Sequence, residues 1–127
     1  MVFTYNYNNS YIPSMPTVGI SIGQSGKMPA LELQALVDSG ADATIVPLSI
    51  LRQVGARRGD RVWMRGTTRG RDIVYLYHIS LRLADFQQNV VKVVGDPEYD
   101  EVILGRDILN HLVVTLNGLA SVVEISN

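Results

Sequence analysis

The sequence predicts a mainly β fold built as one closed or nearly closed β-barrel domain. Its 127 residues suit a single domain, and a hydrophobic fraction of 46% is enough to fill one core. Short runs of strand-forming residues are separated by clusters of Gly, Pro, Asn and Asp, which is typical of an all-β domain. These runs are residues 17–22, 30–37, 73–84 and 89–94.

The clearest strand is the run at residues 73–84, where apolar and more polar side chains alternate. Its apolar members are Ile73, Tyr75, Tyr77, Ile79, Leu81 and Leu83. Successive side chains of a strand point to opposite faces, so the alternation predicts one buried face and one face toward water.

A hairpin is predicted near the C-terminal end. Apolar segments at residues 113–116 and 119–125 flank Asn117 and Gly118, the pair best able to adopt the positive φ angles of a tight turn. Helices are few. Residues 106–112 predict one short C-terminal helix, and residues 48–54 are a candidate for a second.

The N-terminal segment differs from the rest of the chain. Residues 5–9 are polar and aromatic without a clear period, which indicates a flexible arm or a segment that pairs only upon assembly. We therefore divide the chain into an N-terminal arm, residues 1–16, and a domain, residues 17–127.

Composition excludes several kinds of function. Without cysteine there can be no disulfide, thiolate metal site or cysteine nucleophile. A charged fraction of 18% and a net charge of −1 argue against disorder and against a globally basic nucleic-acid binder. No apolar run approaches the ~20 residues needed to span a bilayer, and the start lacks the pattern of a signal peptide. We therefore expect a cytoplasmic protein or an excised soluble domain.

One short motif carries candidate chemistry, because Asp38, Ser39 and Gly40 directly follow an apolar strand. A carboxylate at a strand end is expected to be partly desolvated, and the Gly40 N–H can approach it because glycine has no Cβ. The Ser39 hydroxyl can lock the loop or bridge to a neighbouring copy. The alternative is an Asx-turn, in which Asp38 merely caps its own backbone.

A second motif, residues 102–109, is an apolar strand that runs through Gly105 into the helix opened by Arg106. Alone, it is equally typical of an ordinary strand-to-helix connection. Together with Asp38-Ser39-Gly40-Ala41-Asp42, in matching order and spacing, it resembles the retroviral-type aspartic proteases, the retropepsin family with its bacterial relatives. The resemblance covers residues 17–116.

The resemblance implies roles for individual residues. Asp38, Ser39 and Gly40 would form the catalytic loop, and residues 62–72 look like the family's flap, a glycine-bearing hairpin that folds over substrate. The implied substrate-binding residues are Ala41, Asp42, Arg65, Gly66, Thr67, Thr68 and Arg69. In the family, the Asp beyond the catalytic loop pairs with the Arg after the glycine, so Asp42, Gly105 and Arg106 would support the loop. Neither a metal nor a cofactor is implied.

The chemistry requires a second copy of the chain. Peptide hydrolysis by paired carboxylates needs one ionised and one protonated group, and this chain has a single Asp-Ser-Gly motif. We therefore expect a homodimeric aspartic endopeptidase, with one Asp38 from each subunit on the two-fold axis and a peptide or protein as substrate. Because the two carboxylates are coupled, activity should peak on the acid side of neutral.

Two alternatives to the protease remain open. The dimer could bind peptides without cleaving them. The chain could also be a basic nucleic-acid-binding module, since seven arginines lie within residues 52–71 against one acid, Asp60. A membrane partner is not expected. The histidines, His78 and His111, and the acidic loop at residues 96–101 favour structural roles over catalysis or metal binding.

Overall fold

A computed structural model of the chain describes residues 1–65 and 71–127. Within these ranges it has ten strands and two short helices. The strands are β1 (Phe3–Asn6), β2 (Thr17–Gln24), β3 (Leu31–Val37), β4 (Ile45–Pro47), β5 (Arg57–Arg65), β6 (Arg71–Leu83), β7 (Phe86–Asp96), β8 (Val102–Leu104), β9 (Val113–Asn117) and β10 (Val122–Ser126). The helices are α1 (Leu48–Val54) and α2 (Arg106–Leu109). Neither of these described helices has the length and apolar character to cross a membrane.

Six of the strands close into a barrel. Neighbouring strands follow the order β2-β3-β8-β4-β7-β6, and pairing of β6 back onto β2 completes the ring. The pairs β3–β8 and β4–β7 are parallel, whereas the other pairs are antiparallel. In the described part of the chain, β5 pairs with β6 alone and lies outside the ring. The predicted fold class, a mainly β closed barrel, is confirmed.

The alternation predicted for residues 73–84 fills the barrel interior in its second half only. The predicted burial of Ile73 and Tyr75 is wrong, because both are exposed where β6 extends beyond the ring to pair with β5. Ile79, Leu81 and Leu83 are fully buried, and Leu81 lies opposite the equally buried Ile22 of β2. Burying a side chain of this size contributes about 1.5–3 kcal/mol. A register slip of one residue would turn the whole set outward, so the core itself fixes the pairing that closes the barrel.

The N-terminal segment is not the loose arm that the sequence predicted. β1 pairs antiparallel with β10, with Phe3 opposite Ile125 and Tyr5 opposite Val123. Val123 and Ile125 are fully buried, and Tyr5 packs against the same core. The apolar face of β10 therefore holds the N-terminal strand within its own chain, in a three-stranded sheet of order β1-β10-β9. The domain boundary at residue 17 stays a prediction.

The C-terminal hairpin is present, but the predicted tight turn at Asn117 and Gly118 is wrong. β9 and β10 pair as far as Asn117 opposite Val122, which leaves residues 118–121 in the loop. The Asn117 side chain accepts a hydrogen bond from the Ala120 N–H at 3.0 Å, and the positive φ, 55°, occurs at Ser121. Asn117 thus stabilises a longer loop through its side chain rather than adopting a left-handed backbone.

The two helices agree with prediction in place but not fully in length. α1 has the predicted bounds and ends at Gly55, whose φ of 72° forms a left-handed cap. α2 ends at Leu109 instead of residue 112. Beyond it, the N–H groups of His111 and Leu112 bond to carbonyl oxygens three residues earlier, a tighter turn that leads into β9.

Candidate active site

Asp38 lies directly after β3, where the chain leaves the barrel wall. Its N–H still donates to the Leu104 carbonyl of β8 at 3.1 Å, so the sheet fixes its backbone. The Gly40 N–H donates to Oδ1 of Asp38 at 2.9 Å. A Cβ at Gly40 would stand 3.1 Å from the same oxygen, which is why a glycine suits this position. The predicted approach of the Gly40 N–H to the carboxylate is therefore present.

The predicted partial desolvation of Asp38 is wrong for the single chain. Asp38, Ser39 and Gly40 are all exposed. The reason is their position past the last paired residue of β3, where the described part of the chain places no layer over the carboxylate. The bond from Gly40 also forms an Asx-turn, the alternative role considered for Asp38. The turn and a chemical role for the carboxylate are compatible.

Arg106 holds the Asp38 loop from the side. Its guanidinium donates through Nη1 to the Ser39 carbonyl at 2.7 Å and forms an ion pair through Nη2 with Asp42. The two residues are 64 positions apart in sequence, and their contact is the one that the family resemblance implied. The pair is largely solvated, because the Asp42 side chain is 90% exposed and that of Arg106 41% exposed.

Backbone contacts join the same two segments. The Arg106 N–H donates to the Ala41 carbonyl at 2.9 Å. Gly105 lies so close to the loop that a Cβ there would stand 2.6 Å from the carbonyl carbon of Ala43. This contact explains the glycine, since its backbone has an ordinary extended conformation and needs no special φ. Gly105 therefore allows the loop after β3 to pack against the start of α2.

Sequence reasoning missed the buried half of this connection. Thr44 is fully buried; its hydroxyl donates to Oδ1 of Asp107 at 2.8 Å and accepts the Gly105 N–H at 3.1 Å. The Thr44 N–H donates to the other carboxylate oxygen, Oδ2, at 3.0 Å. The available signal was an acid in the first turn of a helix next to a glycine, which is common at helix starts and does not point to a distant threonine.

The predicted flap falls partly outside the described residues. The β5 and β6 strands pair antiparallel up to Arg65 opposite Arg71. The predicted substrate-binding residues Gly66, Thr67, Thr68 and Arg69 lie outside the described ranges. Ala41 is half-buried beside the Asp38 loop.

His111 and the acidic loop, which were considered for catalysis and metal binding, make contacts that stabilise the fold. The His111 ring stacks on Phe86 with centroids 5.3 Å apart. Asp96 accepts the Glu98 N–H at 2.9 Å and so forms a turn in the acidic loop. Among the described residues, no group of three or more His, Asp or Glu side chains could hold a metal ion.

Comparison with known proteins gives a family and a fold. A family model described as "gag-polyprotein putative aspartyl protease" matches residues 26–111. A search of curated proteins found no match. Solved structures with a similar fold include a retropepsin-like aspartic protease from Rickettsia conorii, with 11% identity over 98% of this chain and 91% of that one, at a TM-score of 0.66.

Two further solved structures are similar over most of their length. EIAV protease, complexed with the inhibitor HBY-793, is 21% identical over 76% of this chain and 86% of its own, at a TM-score of 0.56. The retroviral protease-like domain of Ddi1 from Leishmania major is 21% identical over 83% of this chain and 82% of its own, at a TM-score of 0.51. At these identities the likeness shows a shared fold.

Proposed function

Since the chain belongs to the gag-polyprotein aspartyl protease family, we propose that it is an aspartic endopeptidase that acts as a homodimer. Asp38 of each subunit supplies one of the two catalytic carboxylates. The observation that carries the proposal is the Asp38 loop itself, an exposed carboxylate fixed by the Gly40 N–H and bound to the start of α2.

In the proposed mechanism, the two Asp38 carboxylates share one proton. The ionised carboxylate takes a proton from a water molecule as the water oxygen attacks the scissile carbonyl carbon. The protonated carboxylate gives its proton to the carbonyl oxygen. Collapse of the tetrahedral intermediate breaks the C–N bond; the amine leaves with a proton from the pair, and one hydroxyl of the intermediate returns its proton to the pair as the carboxylic acid forms.

The exposure of Asp38 supports pairing of two chains. A single solvated carboxylate has no partner with which to share a proton, whereas a second copy across a two-fold axis would supply one and exclude water. Ser39 is exposed on the same loop, so its hydroxyl can reach the partner's loop. Asp42, Gly105 and Arg106 keep both loops in place, so they act as positioning residues.

The β5–β6 pair is the proposed flap. β5 lies outside the six-stranded ring and pairs with β6, which extends beyond it. In this role Arg65, Gly66, Thr67, Thr68 and Arg69 would meet substrate from one side, and Ala41 and Asp42 from the other.

The decisive test replaces the carboxylate by its amide. Asp38→Asn keeps the shape of the side chain and its bond from Gly40, but it removes the shared proton. Cleavage of a random peptide library, measured across the acid range by mass spectrometry, should fall by about a hundred- to ten-thousand-fold. Asp85→Asn is the matched control, because Asp85 is an exposed acid in the β6–β7 turn. Parent-level cleavage by Asp38→Asn would eliminate the mechanism.

A further inference from the structure

A β-bulge in β5 collects arginine and aromatic side chains on one face of the β5–β6 pair. Arg58 lies opposite Tyr77 and Arg61 opposite Tyr75, so three steps on β5 match two on β6. In a regular strand, residues three apart point to opposite faces; the extra residue of the bulge returns Arg61 to the face of Arg58. Trp63, opposite Ile73, continues the same face.

Gly59 permits this bulge. A Cβ at Gly59 would stand 2.6 Å from Cε1 of His78 across the pair. Any other residue would therefore clash with the His78 ring, which would have to move. The glycine thus leaves room for the His78 ring beside the bulge.

The resulting surface, which we call the Trp63 face, consists of Arg58, Arg61, Trp63, Ile73 and Tyr75. Trp63 is 65% exposed, Ile73 49% and Tyr75 36%. The Arg58 guanidinium lies over the Tyr75 ring, 4.5 Å from its centroid, and Arg61 is exposed. Large apolar side chains so exposed, and bordered by charge, are typical of interaction surfaces rather than of solvated strands.

The arginines of the Trp63 face form no ion pair with a carboxylate whose side chain the structure describes. Among the side chains that the structure describes, those of residues 1–64 and 73–127, the ion pair found is that of Arg106 with Asp42, which includes no residue of β5. The chain as a whole carries a net charge of −1, so the positive charge is a local property of this region. Its complement is an anionic partner.

We infer that the Trp63 face binds a peptide segment in which acidic residues flank an apolar or aromatic one. The apolar residue would pack on Trp63 and Ile73, and the carboxylates would meet Arg58 and Arg61. Ile73 favours a peptide over a single-stranded nucleic acid, because an aliphatic side chain offers no ring on which a base can stack.

This inference deepens the proposed function, on which it rests for the identity of the peptide as substrate. The face lies on the odd-numbered side of β6, the side that inside the barrel carries the buried Ile79, Leu81 and Leu83. Because β6 continues from this face into the barrel wall, the barrel orients the Trp63 face.

Intrinsic fluorescence tests the site directly, because Trp63 is the one tryptophan of the chain. The Asp38→Asn chain is titrated with three synthetic libraries of heptapeptides that share a central Phe. The flanking positions carry Asp and Glu in the acidic library, Asn and Gln in the amide library, and Lys in the basic library. The acidic library should shift Trp63 emission at a concentration about five-fold or more below that of the amide library, and added salt should narrow the difference.

Variants locate the site. Arg58→Gln and Arg61→Gln should each weaken binding of a labelled acidic library about two- to five-fold, the range for exposed charge pairs. Lys92→Gln is the matched control, because Lys92 is exposed on β7 opposite His78, on the other face. Trp63→Ala should weaken binding while circular dichroism shows an unchanged fold.

Several outcomes would overturn the inference. These are equal responses to the three libraries, tighter binding of an oligothymidylate than of the acidic library, and an emission change produced by protein concentration alone, which would make a second copy the occupant. Binding is measured on Asp38→Asn chains, so a failure of the catalytic proposal leaves the result readable. If the protease is active but the Trp63 face responds equally to the three libraries, this inference is refuted and the proposed function is not.

Discussion

At the scale of single residues, the exposure of the Asp42–Arg106 pair decides how much it contributes. A solvated ion pair contributes less than about 1 kcal/mol, so in the isolated chain we expect a small coupling energy. Arg106 also donates to the Ser39 carbonyl, so Arg106→Ala should cost more stability than Asp42→Ala. A double-mutant cycle read by thermal unfolding measures the coupling.

The same cycle, repeated on the dimer, separates the pair's contribution to dimerisation from its contribution to the stability of the isolated chain. If the second copy covers Asp42, the coupling should rise when measured as dimer dissociation, since a desolvated pair is costly to break. Arg106→Lys should recover only part of the loss, because a point charge cannot bond to Ser39 and Asp42 as a guanidinium does. A coupling of zero in both measurements would contradict a positioning role for the pair.

Thr44 is the more costly residue to change. Thr44→Val keeps the shape but leaves the buried Gly105 N–H without its acceptor and removes one of the donors to Asp107. We expect a loss of about 1–3 kcal/mol in the free energy of unfolding, measured with urea, because the Gly105 N–H stays buried without a partner. Thr115→Val is the control, since Thr115 is exposed on β9. A loss below about 0.5 kcal/mol, as for ordinary surface changes, would mean that the network is dispensable.

At the scale of elements, a tyrosine of β1 makes the free energy of unfolding depend on pH in the alkaline range. Burial raises the pKa of Tyr5 above its ordinary value of 10.0. The folded state thus favours the protonated phenol. The resulting contribution to the free energy of unfolding is full below pH 10.0 and is lost as the pH rises through the raised pKa of Tyr5 in the folded state.

Tyr5→Phe should therefore make the free energy of unfolding fall less steeply between about pH 9 and 11, where tyrosines titrate. The comparison is with Tyr99→Phe, whose ring is exposed. Both variants lose one phenol, so general alkaline effects cancel. Identical slopes for the two variants would show that β1 does not bury Tyr5 in solution.

The bulge in β5 gives the next prediction. Gly59→Ala should destabilise the chain by about 1–3 kcal/mol, because its Cβ must displace the His78 ring. Gly118→Ala is the control, since a Cβ there meets nothing within 4 Å. Equal urea midpoints for the two variants would contradict the close contact at Gly59.

At the scale of the whole molecule, the proposed dimer has a direct consequence for mixtures. An excess of Asp38→Asn chains should suppress the activity of wild-type chains, because mixed dimers hold a single carboxylate. Activity per chain should also fall on dilution as dimers dissociate. Sedimentation velocity beside the cleavage assay measures both. A wild-type activity untouched by a ten-fold excess of the variant would contradict the shared site.

The sequence by itself determined those features that depend only on residues close to one another in the chain. The alternation at residues 73–84 predicted the burial of Ile79, Leu81 and Leu83, and the Asp38 motif predicted the bond from Gly40, because both follow from local geometry. The contact of Asp42 with Arg106 came from a family resemblance, since nothing in the spacing of two residues 64 apart implies that they meet.

Tertiary structure alone decided which segments lie together. The pairing of β1 with β10, the bond between Thr44 and Asp107, and the alignment of Arg58 with Arg61 and Trp63 depend on how the barrel closes and where a strand carries an extra residue. Such contacts are selected by burial of a shared core and by strand register, which are properties of the whole chain. A local pattern records that a residue is apolar, acidic or free to turn, but not which distant residue it will contact.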